Sequence, residues 1–206
     1  MSRNSPRGGG NPYAQADSFT KKAKAEGYPA RSVYKLEEID RRCQLLRPGM
    51  RVLDLGCAPG SWLLYAAKKI GPSGRAVGID LTPLQIALPP NAVAIAGDAF
   101  ERTGEVAAHL ALAAPYDVIV SDMAPNTTGT RIQDQARSAD LVERSLDVAA
   151  ELLAPGGSWV AKLFMSEALV SIRARVRKMF TTERIIRPEG TRSVSYEVFL
   201  VGQKKK

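Results

Sequence analysis

From residue 51 onward, short apolar runs alternate with longer segments whose apolar positions recur at helical spacing. "RVLDL", "RAVGID", "AVAIA", "DVIVSD", "SWVAKLF", "TERIIR" and "YEVFLVG" have the length of strands. "WLLYAAKKI", "VAAHLALAA", residues 133–153 and residues 167–180 have the period of helices. The apolar strands lack strict two-fold alternation, as a sheet covered on both faces by helices requires. The pattern therefore predicts an α/β, doubly wound, Rossmann-like domain with helices on both faces of its sheet. Two strands in succession at the end, joined by "PEGTRS", predict an antiparallel pair closing the sheet edge.

Ahead of this alternation, residues 14–46 read as helical. "SFTKKAKAEG" predicts a short helix ended by Gly27. "ARSVYKLEEIDRRCQLL" sets Val33, Leu36, Ile39 and Leu45 or Leu46 on one side of a second helix, which Pro48 and Gly49 end. Residues 1–12 are rich in Gly, Ser, Asn, Pro and Arg without an apolar period, and predict a disordered basic arm. Residues 13–206 then form a single domain, because the segment up to residue 46 is too short for a core of its own and must pack onto the sheet.

Composition narrows the function classes. With 206 residues, 45% of them hydrophobic and 24% charged, the chain can bury an ordinary core without staples. Cys43 and Cys57 belong to no C-x-x-C pair and imply no disulfide framework, which points to a reducing, cytoplasmic setting. No secretory signal or membrane-length apolar run is present in the sequence. His109 is the sole histidine, so neither a histidine base nor a metal cluster is expected. Twenty-nine Lys and Arg against twenty-one Asp and Glu leave a formal charge of +8, which favours a polyanionic partner.

In an open α/β sheet, ligands bind beyond the carboxyl ends of the strands. Here four successive strands end in, or just before, an acid: Asp54, Asp80, Asp98 and Asp122. Helix capping accounts for one or two of these and poorly for all four. The first loop, "GCAPG" from Gly56 to Gly60, lacks the middle glycine of a dinucleotide fingerprint. The distance from Gly56 to Asp80 suits a ribose contact in either a NAD or an S-adenosylmethionine site. Charge discriminates between them: four carboxylates repel a pyrophosphate and tolerate a sulfonium, so S-adenosylmethionine is favoured.

Lys162 and Glu197 fall inside apolar strands, where charge is expensive unless paired. One reading is a structural ion pair between the two. The other is catalytic: methyl transfer to a hydroxyl requires an aligned alcohol and a base for its proton. A lysine serves as that base only as the neutral amine, a form that burial and a second cation favour and neighbouring carboxylates oppose. Lys35 is the candidate cation, and Asp122 and Glu197 are the carboxylates.

The blocks "RSVYKLEEID", "LDLGCAPGSW", "VSDMAPNTTG", "LAPGGSWVAKLF" and "RPEGTRSVSYEVFLV" resemble, in the same order, those of the FtsJ family of RNA 2′-O-methyltransferases over residues 31–202. The resemblance implies S-adenosylmethionine as cofactor and a ribose 2′-hydroxyl of a uridine in large-subunit ribosomal RNA as acceptor, met within the large subunit. It also implies a catalytic tetrad on Lys35, Asp122, Lys162 and Glu197, with Lys162 as proton acceptor. The cofactor contacts it implies are Gly60, Trp62, Asp80, Asp98 and Asp122, to which the strand-end argument adds Asp54 and Gly56. Cys57 and Ser61 stand where the family has Ala and Gly; both are small, so the loop is expected to survive, with Cys57 as loop filling. Arg192 and Arg31 are the arginines expected to meet RNA, and a monomer is expected.

Relatives with the same tetrad modify transfer RNA, which keeps a transfer-RNA 2′-O-methyltransferase as an alternative. A catalytically silent RNA-binding assembly factor is a second alternative, opposed by the intact tetrad. A NAD-dependent dehydrogenase is a third, opposed by the missing glycine.

Overall fold

The computed structural model describes residues 12–101, 104–189 and 195–206. The N-terminal arm up to residue 11 and Arg192 lie outside the described residues. In chain order the elements are α1 (Pro12–Ala25), α2 (Val33–Cys43), β1 (Arg51–Leu55), α3 (Ser61–Ile70), β2 (Arg75–Asp80) and β3 (Ala92–Ala96). They continue as α4 (Gly104–Ala113), β4 (Tyr116–Ser121), α5 (Arg131–Leu152), β5 (Leu153–Phe164), α6 (Leu169–Met179), β6 (Phe180–Ile186) and β7 (Glu197–Lys205). The first helix begins at Pro12, earlier than the periodicity indicated, because proline suits the first helical turn, where its missing N–H is no loss.

The sheet runs β3-β2-β1-β4-β5-β7-β6. Strands β1 to β5 pair in parallel, while β7 runs antiparallel to both β5 and β6. The expected antiparallel closure is present, with β7 inserted between β5 and the edge strand β6. From β1 the chain winds outward through β2 and β3, then returns to β4 on the other side. The β1/β4 boundary is thus the switch point, where a crevice opens between diverging loops.

Each face of the sheet buries its own apolar layer. Leu53, Leu55, Ile79, Ile119, Ala161, Leu163 and Leu200 pack under α4, α5 and α6. Val52, Ala76, Val118, Val120, Val160, Phe199 and Val201 pack under α2 and α3. In α2 the predicted stripe is buried through Val33, Leu36 and Ile39, but the helix ends at Cys43, where Gln44 takes a left-handed backbone, so Leu45 is buried from the segment after the helix and not from its face. Truncating Leu36 or Ile39, both fully buried, to alanine costs about 2–5 kcal/mol. Asp40 in the same helix accepts hydrogen bonds from the Leu46 amide (2.8 Å) and the Tyr65 hydroxyl (3.0 Å), tying α2 to α3 through a buried carboxylate.

Two strands reach further than their apolar runs. In β5, Leu153 already pairs with Tyr116 before the register slips and resumes at Val118↔Ser158, so "LAPGG" belongs to the strand in spite of its turn-like composition. In β7 the ladder continues to Lys205, which pairs with Phe180.

Candidate active site at the carboxyl edge of the sheet

The loop after β1 is pinned to β2: the Gly56 and Cys57 amides donate to the Ile79 carbonyl at 2.8 and 3.2 Å. Gly56 and Gly60 have φ of 74° and 108°, and a Cβ on either would stand 2.2 Å from Met123 Cγ or 2.3 Å from Ile86 Cδ1. Only glycine supplies both the left-handed backbone and the clearance. The neighbouring strand makes room as well, since a Cβ on Gly78 would lie 2.7 Å from Cys57 Sγ. Cys57 is therefore loop filling, and burial with nearby Asp54 and Asp80 pushes its thiol up, away from a nucleophilic thiolate.

Asp80 ends β2, and both its oxygens accept backbone amides, Oδ2 from Ala58 at 2.9 Å and Oδ1 from Thr82 at 2.8 Å. Asp98 accepts from the Phe100 amide at 2.9 Å. With Asp122 these acids border a cavity of about 610 Å³ that Gly56, Thr82, Phe100, Met123, Leu141 and Arg144 help to line. Arg144 reaches it from α5, its guanidinium carbon 3.9 Å from the Phe100 ring centre. Neither Phe100 nor Arg144 carries a sequence signal, because the stack joins a loop and a helix far apart in the chain.

The expected cofactor contacts divide. Gly56, Asp80, Asp98 and Asp122 line the cavity, whereas Gly60, Trp62 and Asp54 stand behind it. Gly60 caps α3 and shapes the turn. The indole of Trp62 is buried against Phe199, ring centres 5.7 Å apart, and donates to the Ser32 carbonyl at 2.8 Å. That side chain fastens α3 to the start of α2, and its backbone lies in the first turn of α3, next to the loop.

Asp54 is 1% exposed, and among the described residues neither of its carboxylate oxygens finds a cation or a side-chain donor. Desolvation, reinforced by Asp122 and Asp80, pushes its carboxyl well above the ordinary value, and the Leu63 amide at the start of α3 offsets this only in part. Asp54 thus ends β1 as the strand-end pattern expects, as a buried acid that is not among the residues lining the cavity.

On the other side of the switch point the acids hold lysines. Lys162 Nζ, 9% exposed as a residue, lies 3.0 Å from Asp122 Oδ1 and donates to the Asp122 carbonyl at 2.5 Å. Lys35, in the first turn of α2, forms an ion pair with Glu197 and stands 5.7 Å above the Phe199 ring. The ladder pairs Lys162 with Phe199 and Phe164 with Glu197, which sets all four side chains on one sheet face. The simple Lys162–Glu197 pair is replaced by two pairs, Lys162–Asp122 and Lys35–Glu197. The structure thus brings the four expected tetrad residues together at the cavity's edge, with Asp122 common to cavity and tetrad.

Arg31 is half-buried in the turn before α2, four residues from Lys35. His109 is half-buried on α4, its Nδ1 3.0 Å from the Glu105 carbonyl. Among the described residues no group of three or more His, Cys, Asp and Glu is arranged to hold a metal, and no helix is long and apolar enough to cross a membrane.

The donor set tests the cofactor expectation directly. Three carboxylates around one cavity suit hydroxyl and cationic groups, and the single lining guanidinium is already stacked on Phe100. The residues present fit S-adenosylmethionine and fit a pyrophosphate poorly.

Comparison with known proteins gives the family. The model of the family described as FtsJ-like methyltransferase matches residues 28–205. A Sorangium cellulosum protein named ribosomal RNA large subunit methyltransferase E is 58% identical over 196 residues, spanning 95% of this chain and 91% of its own. Proteins of the same name from Desulforapulum autotrophicum and Bdellovibrio bacteriovorus are 50% and 45% identical, covering 93% and 94% of this chain and 93% and 99% of theirs. Among solved structures, a Plasmodium falciparum protein described as a ribosomal RNA methyltransferase matches with a TM-score of 0.75 at 24% identity, over 86% of this chain and 98% of that one, a likeness of fold.

Proposed function

The chain belongs to the FtsJ-like methyltransferase family, and from that premise we propose that it methylates the ribose 2′-hydroxyl of a uridine in large-subunit ribosomal RNA, acting as a cytoplasmic monomer on the large subunit. The observation that carries the chemistry is a buried lysine amine, Lys162, fixed by Asp122 at the edge of an acid-lined cavity.

Asp80, Asp98 and Asp122, with Thr82 and the Phe100 ring, would hold S-adenosylmethionine. Bound there, the cofactor supplies a methyl group on a sulfonium, an electrophile for an aligned oxygen. The chain's own task is to align that oxygen and receive its proton. Lys162 Nζ takes the proton of the 2′-hydroxyl as a neutral amine, and the ammonium so formed is held by the Asp122 carboxylate and carbonyl already in place. Help of this kind is worth about 10²–10⁴ in rate. Lys35 and Glu197 close the other flank: Glu197 keeps Lys35 in position, and Lys35 adds a second cation on the face that carries Lys162.

The test is transfer of tritiated methyl from S-adenosylmethionine to large ribosomal subunits from cells lacking this activity, to free ribosomal RNA and to transfer RNA, with the label mapped to a nucleotide. Label on a uridine 2′-oxygen of large-subunit RNA is the expected result. Label in transfer RNA alone, or none despite cofactor binding, overturns the assignment.

A further inference from the structure

The cavity lies over β1 to β4, and Lys162 stands on β5, so an acceptor that meets Lys162 from outside the cavity arrives over β5 and β7. The surface there is built around Tyr196. Its ring packs edge-on against Phe164, centres 4.9 Å apart, and Arg131 at the start of α5 places its guanidinium carbon 5.0 Å from the Tyr196 ring centre. The Tyr196 carbonyl accepts from the Met165 amide at 2.9 Å, which ties this residue to the end of β5. Gln135 of α5 donates to the Met165 carbonyl at 2.5 Å, and Arg187 donates to the neighbouring Ser195 carbonyl at 2.7 Å.

The connection to the reacting groups is short. Tyr196 immediately precedes Glu197, and Phe164 is two residues from Lys162 and in register with Glu197. Arg131 is exposed and, among the described residues, has no carboxylate within ion-pair distance; its guanidinium lies against the tyrosine ring. Beside it, Ile132 and Met165 are 78% and 43% exposed. A guanidinium oriented by an aromatic ring, unneutralised, with apolar side chains alongside, is matched by a nucleotide: a phosphate for the cation and a base for the apolar surface.

We propose that Arg131, oriented by Tyr196, binds the RNA phosphate next to the acceptor ribose and so seats that ribose beside Lys162. The inference rests on the RNA-methylation reading above. Arg131 is the binding residue, and Tyr196 is a positioning residue that acts through it.

The test measures equilibrium binding of large-subunit ribosomal RNA across a salt series, together with the KM for methyl transfer, for wild type, Arg131→Gln, Arg131→Lys, Tyr196→Leu and Arg47→Gln. Arg47 is an exposed cation in the loop before β1, at the opposite edge of the sheet, and controls for net charge. Arg131→Gln is expected to lower the slope of log affinity against log salt by about 1 and to raise KM about 10-fold. Arg131→Lys should keep the slope and still raise KM, since an ammonium keeps the charge without the flat stack. Tyr196→Leu should raise KM with the slope nearly retained, an effect that a merely structural loss, with its fall in S-adenosylmethionine affinity, does not reproduce. Arg47→Gln should leave slope and KM as in wild type. The inference is overturned if Arg131→Gln matches wild type, or matches Arg47→Gln, in both slope and KM. If wild type labels no ribosomal RNA, the functional reading fails by itself, and the binding slopes still decide whether Arg131 touches RNA.

Discussion

The two halves of the sheet's carboxyl edge use their acids differently. On the β2 and β3 side, Asp80 and Asp98 accept backbone amides of Ala58, Thr82 and Phe100, so each carboxylate is part of the loop it shapes. On the β4, β5 and β7 side, Asp122 and Glu197 hold Lys162 and Lys35. Asp54, between them at the end of β1, has a carboxylate that no cation or side-chain donor satisfies among the described residues, with only the Leu63 amide partly offsetting its burial. A strand-end aspartate is thus one position with three physical outcomes. A carboxylate satisfied by amides gives a rigid cavity wall, one paired with a lysine can share in proton transfer, and an unpaired buried one takes up a proton.

If that division is right, a change at Asp122 has the widest consequences, because this residue serves both halves. Asp122→Ala leaves Lys162 buried without its carboxylate, and transfer should fall about 10³-fold or more while S-adenosylmethionine affinity also drops, read by turnover and by calorimetry. Glu197→Gln disturbs the second half alone: transfer should fall by about 10-fold or more, with S-adenosylmethionine affinity retained. Equal losses of donor affinity in the two variants would break the comparison. Gly60→Val disturbs the first half. The left-handed backbone there costs about 1–2 kcal/mol for a side chain before the clash with Ile86 is counted, so donor affinity and melting temperature should fall together.

The smallest effect is expected at Asp54, and it is a matter of pH. Its carboxyl is raised in the folded state above its unfolded value, so the folded protein binds the extra proton. Stability from this group is full below the ordinary carboxylate range and is lost as pH climbs toward the raised value. Asp54→Asn removes that loss. Its melting temperature should approach or exceed that of wild type at pH 8 and gain nothing at pH 4, and S-adenosylmethionine should still bind. A variant that fails to bind the donor would return Asp54 to the cavity.

How much of this is legible in the sequence depends on whether the relevant neighbours lie close along the chain. The alternation of strands and helices, the two-faced core and the placement of Asp80, Asp98, Asp122, Lys162 and Glu197 on or at the ends of strands follow from apolar periodicity, a local pattern, whereas the insertion of β7 between β5 and β6 does not. The packing of the Trp62 indole is not legible because its partners, Ser32 and Phe199, come from remote segments. The stack of Arg144 on Phe100 and that of Arg131 on Tyr196 are invisible for the same reason. The isolation of Asp54 depends on how closely α3 and the glycine loop settle on β1 and β2, a packing property that no residue type encodes.

The central claim is that the chemistry and the cofactor cavity are separable, with Lys162 serving the first. A single-turnover assay of Lys162→Ala with saturating S-adenosylmethionine and large ribosomal subunits, alongside calorimetric binding of the cofactor, tests this directly. The account predicts cofactor affinity close to wild type and a methyl-transfer rate about 10²–10⁴ lower. A rate within a few-fold of wild type, or a loss of transfer fully explained by lost cofactor binding, would contradict it.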